Sequence, residues 1–187
     1  MRRALLIMSA LLVSAFGQEL IQNGRFEDSL TSWTVEYDSP DGTWSVATGS
    51  EYQPDPDSEV NVSKTMKYYA RAFQTVDVPT PELEFSFSSR LFASFAGGSG
   101  YYAYATVTLE YLNSSGGLLG RTLFVNKVGY CSLENTSIQH LIVAEDTTWQ
   151  DYWLLVSDEL ENLPGLNPAD LARARVVLEA YGNGASG

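Results

Sequence analysis

The chain has 187 residues, 44% of them hydrophobic, and a formal net charge of −12. That suits one domain able to bury its own core and argues against nucleic acid or an anionic membrane surface as partner. The single cysteine, Cys131, excludes an intrachain disulfide and reads as a small buried hydrophobe.

In chain order, Arg2 and Arg3 precede an apolar run over residues 4–13 that only Ser9 interrupts, and Ala15-Phe16-Gly17 is a small-x-small cleavage signal. This is the pattern of a secretory signal peptide, with Gln18 as the expected mature N-terminus. The run is well short of the ~20 residues a spanning helix needs, so no membrane insertion is expected after cleavage. Residues 1–17 hold two arginines and no acid, so the mature chain carries −12 − 2 = −14. It is expected to be secreted or held at the cell surface.

The remainder, 18–187, alternates like strands and is punctuated like turns. Leu83, Phe85 and Phe87 alternate with Glu84, Ser86 and Ser88, and Ala103, Ala105, Val107, Leu109 and Tyr111 interleave with Tyr102, Tyr104, Thr106, Thr108 and Glu110. Period two puts the two sets on opposite faces of a strand. β-Branched or aromatic runs predict further strands at 33–37, 44–48, 68–78, 118–125, 138–144, 149–156 and 175–181. Turn signals separate them: Ser39-Pro40-Asp41-Gly42, Pro79-Thr80-Pro81, Gly97-Gly98-Ser99-Gly100 and Asn113-Ser114-Ser115-Gly116-Gly117, the last a hairpin loop. One short helical turn is predicted near 167–173, with Asn167 as cap, Pro168 in the first turn and Asp170 at the positive helix start. Many short strands at regular spacing predict an all-β fold, a β-sandwich or barrel, in one domain.

Catalytic patterns are missing. His140, the only histidine, sits in an apolar strand-like run and reads as structural, and there is no Gly-x-Ser-x-Gly elbow, zinc spacing or phosphate-cradling loop. The chain is therefore expected not to be an enzyme. Hard cations want several oxygen ligands. Glu27 follows a glycine turn, and Asp55-Pro56-Asp57-Ser58-Glu59 places three acids at alternate positions. Tyr102 and Tyr104 share a face with Thr106 and Thr108. Such a polar-aromatic surface suits stacking on sugar rings with hydrogen bonding, and Trp44, Tyr52, Tyr68 and Tyr69 are further candidates. Asn61, Asn113 and Asn135 each open a glycosylation sequon, with Asn113 expected to be the most accessible.

Asn23-Gly24-Arg25-Phe26-Glu27 followed by Trp33 resembles the opening of jelly-roll carbohydrate-binding modules. Thr148-Trp149-Gln150-Asp151-Tyr152 is similar to their threonine-tryptophan-x-x-tyrosine strand, and Phe73-Gln74-Thr75-Val76-Asp77-Val78 to their glutamine-containing strand. The resemblance is scattered over most of the mature chain. It implies an antiparallel jelly-roll sandwich of the galactose-binding-like type, often with a structural calcium ion. It further implies that Glu27 ligates calcium, that the carbonyl of Arg25 joins it, and that Asp57 or Glu59 supplies a second acid. The function so implied is glycan binding by a non-catalytic exported module.

The family usually closes with a strand reading aspartate-(aspartate or asparagine)-valine, whereas residues 175–181 look like the penultimate strand. A truncated sequence, a different closure, or a strand supplied by another chain would each account for this. The last makes the alternative function a structural surface or fibre subunit that assembles with copies of itself by strand donation.

Overall fold

The structure is a computed structural model that describes residues 5–14, 19–38, 41–49, 58–94 and 99–184; for 5–14 it describes the backbone alone. Among the described residues there are eleven strands: β1 (Leu5–Ser14), β2 (Thr34–Tyr37), β3 (Trp44–Gly49), β4 (Glu59–Lys64), β5 (Tyr68–Asp77), β6 (Leu83–Phe92), β7 (Tyr102–Leu112), β8 (Leu118–Gly129), β9 (Gln139–Val143), β10 (Gln150–Leu155) and β11 (Arg173–Asn183). They form two sheets, ordered β10-β6-β1-β4-β3 and β2-β5-β11-β7-β8-β9. All pairs are antiparallel except β8 with β9. The fold is the predicted all-β sandwich.

Alternation builds its core. Along β6, Leu83, Phe85, Phe87 and Leu91 are buried, and the other sheet answers with Ala70 and Ala72 of β5, Val176, Leu178 and Ala180 of β11, and Val107, Leu109 and Tyr111 of β7. Phe85, Phe87, Phe124 and Tyr152 form one aromatic cluster. Within it Phe87 meets Phe124 edge-on at 4.8 Å and stacks on Tyr152 at 4.9 Å. Such pairs add to burial alone.

The only α-helix among the described residues, α1 (Val156–Glu159), continues into a 3-10 turn, Leu160–Asn162. A second 3-10 turn, Pro168–Asp170, is the predicted helical turn: Asn167 accepts a bond from the Ala169 amide and Pro168 leads. The first of these packs Glu159 into the sandwich, where its carboxylate lies 2.6 Å from Nδ1 of His140 and accepts from Thr122 at 2.7 Å. Asn162 binds the other carboxylate oxygen, and Tyr111 bonds Thr122. This satisfied network gives the lone histidine a structural place, since a buried carboxylate needs such partners. Cys131, expected to be buried, is half-buried beyond the end of β8.

Two strands escape the sequence reading. β4 has a clean alternation, with Val60 and Val62 buried, but it follows the acidic stretch and carries a sequon. The other is β1: the apolar run expected as the leader lies as an inner strand, paired over its whole length with β6 and over Leu6–Met8 with β4. An inner position needs a strand able to offer both rows of backbone groups and apolar residues to the core, and the composition of 5–14 meets that demand.

Candidate functional site

The outer face of the second sheet is built by register. Tyr69 of β5, Tyr181 of β11, Tyr104 of β7 and Lys127 of β8 lie side by side in one row, and Arg71, Glu179, Thr106 and Val125 in the next. Phe73, Val177, Thr108 and Leu123 follow, and then Thr75, Arg175, Glu110 and Arg121. Cross-strand neighbours sit close enough for their side chains to touch. Tyr104 and Tyr181 accordingly stack at 4.7 Å with 1° between their planes, and Tyr102 stacks on Tyr181 at 5.6 Å. The three rings, stacked on one another, form one aromatic platform at the end of the sheet where β7 begins, with open faces only at the outside of the stack.

Beside the platform lies a cavity of about 70 Å³ lined by Arg71, Tyr104, Glu110, Arg121, Glu179 and Leu133, among others. Leu133 belongs to the loop after β8, and Lys127 fastens that loop by donating to the Leu133 carbonyl. Charges inside are matched. Tyr104 donates to Glu179 at 3.0 Å. Arg71 holds Glu36 at 2.6 Å and reaches Glu179 at 3.9 Å, while Arg175 reaches Glu110 at 3.2 Å. Arg71 also lies over the Tyr69 ring at 4.6 Å, a cation–π contact.

Burial pushes the Glu179 carboxyl above its usual value, although the Tyr104 hydrogen bond and Arg71 oppose the shift. Burial, joined by the Glu179 charge, pushes the Tyr104 hydroxyl far up, so it stays a donor. A carboxyl raised on folding binds protons more tightly in the folded state. Its stabilising contribution is complete below 4.5 and is lost as pH rises through the folded value. The Glu179→Gln variant keeps an acceptor for Tyr104 and is expected to gain melting temperature relative to the parent as pH is raised from 4 to 7. A difference that stays flat across that window would show Glu179 to be ordinary.

The sequence reading placed Tyr102 and Tyr104 on this face, and both are there. Of the four further candidates, Tyr69 is on it, in the row with Tyr181 and Tyr104, while Tyr68 is the preceding residue, across from Gly182, and belongs to the other alternation of β5. Trp44 is on β3 of the first sheet, 39% exposed, and stacks on Tyr37 at 3.9 Å, bridging the two sheet edges. Tyr52 lies outside the described residues. Glu110, read on the same face as Tyr102 and Tyr104, was given no role, and Tyr181, Arg71, Arg121 and Glu179 were not anticipated. Their sole sequence signal is the alternation within residues 68–78, 118–125 and 175–181.

The described metal candidates lie on two segments. Arg25 and Glu27 sit exposed on the turn over 22–32, Glu59 is buried at the start of β4, and Asp57 lies outside the described residues. Among the described residues no three His, Cys, Asp or Glu side chains come together. The turn is organised by Asn23, whose amide donates to the Ser29 and Thr31 carbonyls and accepts from the Asp28 amide. Its positive φ values fall on Asn23, Phe26, Ser29 and Ser32 rather than on Gly24. Phe26 and Trp33 pack together beneath it at 5.1 Å.

Of the sequon residues, Asn135 is exposed and Asn61 is half-buried on β4. Asn113, the one expected to be most accessible, is half-buried too and accepts bonds from the Ser115 and Gly117 amides to close its hairpin loop. No protein-family profile and no curated protein matches this chain.

Proposed function

We infer that this protein is an exported, non-catalytic binding module whose ligand is a glycan, held on the outer face of the second sheet. The observation that carries the reading is the Tyr102–Tyr181–Tyr104 platform beside a small cavity of paired charges. The open outer faces and edges of the stacked rings suit the apolar face of a pyranose ring, and neighbouring Arg and Glu groups suit hydroxyls, which both donate and accept. The positive and negative groups lining the cavity balance, which favours a neutral sugar over a charged one.

Polysaccharide pull-down with the purified protein tests this. The Tyr102→Ala/Tyr181→Ala double variant is expected to bind about five- to a hundredfold more weakly, from roughly 0.5–1.5 kcal/mol for each lost stacking contact. Its melting temperature should stay within a few degrees of the parent. Tyr104 is left in place because it holds Glu179. Undiminished binding by the folded double variant would remove the platform from the reading.

Calcium belongs to the same proposal as a stabiliser of the N-terminal turn. The available donors are oxygens, the Glu27 carboxylate and Arg25 carbonyl on one side and Asp57 or Glu59 on the other, which is the chemistry a hard cation takes. A ligand that binds only the folded state raises its stability, so chelating the calcium-loaded protein with EDTA is expected to lower its melting temperature. An unchanged value removes the ion.

A further inference from the structure

The most unusual feature of the sandwich is the occupant of the inner position between β4 and β6. Residues 5–14 hold it, and they are the segment read above as a cleavable leader. Removing them would leave β6 with one edge open over ten residues and β4 with an open edge facing it, β6 keeping only β10 and β4 only β3. Unpaired backbone groups in an inner sheet position are costly and are normally filled.

The register describes what fits there. Positions 6, 8, 10, 12 and 14 lie across from Leu91, Ser89, Phe87, Phe85 and Leu83 of β6, and positions 6 and 8 also across from Val62 and Val60 of β4. These neighbours are all buried, so the occupant needs apolar residues at that alternate set. The other set, 7, 9, 11 and 13, lies across from Arg90, Ser88, Ser86 and Glu84, with Asn61 on the far side of position 7. That surface is polar, so the occupant needs polar residues at this second set, and in the sequence Ile7, Leu11 and Val13 do not supply them. A second sign comes from the slot wall, where the Arg90 Nε and the Ser89 hydroxyl are buried without a hydrogen-bond partner among the described residues. An acid at position 7 would stand across from Arg90 and answer the first of these.

We propose that the slot between β4 and β6 accepts an extended segment of another polypeptide chain, about ten residues long, apolar at alternate positions and carrying an acid opposite Arg90. Every described strand after β1 is already seated in a sheet, which leaves the guest to come from outside these elements. It runs antiparallel to both walls, entering beside Phe92 and leaving beside Leu83. Backbone pairing supplies the affinity and the alternating pockets the specificity, as in other strand-addition complexes. The inference rests on removal of the leader and is independent of glycan binding.

The test uses the exported protein, its mature N-terminus established by mass spectrometry. The probe is a synthetic ten-residue peptide with valine at the positions matching 6, 8, 10, 12 and 14, aspartate at the position matching 7, and serine or threonine at the rest. It is expected to bind in the micromolar range and to raise the melting temperature, or to restore strand content if the leaderless chain is unfolded alone. Replacing its aspartate with lysine should weaken binding about tenfold, and the Arg90→Glu variant should reverse that preference. Several outcomes overturn the proposal: neither binding nor refolding, indifference to the aspartate in both backgrounds, retention of residues 1–17, or cross-linking that finds the slot filled by a strand of the same chain. Polysaccharide binding is read separately, so loss of either property leaves the other measurable.

Discussion

Replacing Phe87 with alanine is expected to lower the unfolding free energy by about 3–5 kcal/mol, the usual cost of emptying a large aromatic site in a tight core. The value belongs at the high end because of what surrounds the ring. Phe87 is 5% exposed, and its neighbours come from both sheets: Phe85 on its own strand, Tyr152 on β10 and Phe124 on β8 across the sandwich. A rigid strand on each side limits collapse into the gap. Since a domain of this kind is typically stable by only about 5–15 kcal/mol, the variant sits near its folding threshold. Urea denaturation reads the effect as a shifted midpoint with little change in slope. A loss below about 1 kcal/mol would mean that the two sheets do not meet through this cluster.

Gln74→Ala is expected to be nearly as damaging, although it deletes no large apolar group. Gln74 is buried on the inner face of β5 and serves as a clamp for the chain entering the sandwich. Its carbonyl accepts from the Gln22 amide at 2.7 Å, and its amide donates to the carbonyls of Gln22 at 2.9 Å and Ser32 at 3.1 Å. Alanine strands three backbone groups at both ends of the 22–32 turn. With roughly 1–3 kcal/mol for a stranded buried group, and water reaching part of the site, the net loss is about 2–4 kcal/mol. Leucine at this position should do no better, because the deficit is polar and not volumetric. Hydrogen exchange offers a local check: the Gln22 amide is expected to lose its protection before amides of β7 and β11 change. Equal loss throughout would place the clamp's role elsewhere.

Much of the fold was legible because most strands bury one face. Leu83, Phe85 and Phe87 announce their strand, and Tyr102 and Tyr104 announce the face opposite the core, without any knowledge of partners. The rest depends on pairing. Glu179 becomes a cavity residue only because β11 lies between β5 and β7, more than sixty residues away in sequence. Tyr181 completes the platform for the same reason. Trp44 illustrates the converse: its composition suggested the ligand face, but the strand bearing it joined the other sheet. The partner of His140, Glu159, was not legible, because a four-residue helix carries too little periodicity to show which of its acids turns inward. The role of residues 5–14 could not be read from their own composition, since an apolar decapeptide suits both a secretion leader and an inner strand.

The position of β11 also has a kinetic consequence. Its partners β5 and β7 are the two strands on which the platform and cavity are assembled, and neither can pair with the other while its place stands empty. During synthesis the β7–β8 hairpin has its pairing segments close together, whereas the centre of the larger sheet must wait for residues 173–183. Long-range closure of this kind is slow, and until it happens the buried faces of β5 and β7 remain exposed to solvent and to other chains. A chain that delays its central strand this long keeps the inner faces of its larger sheet open to rival pairings until residues 173–183 are made.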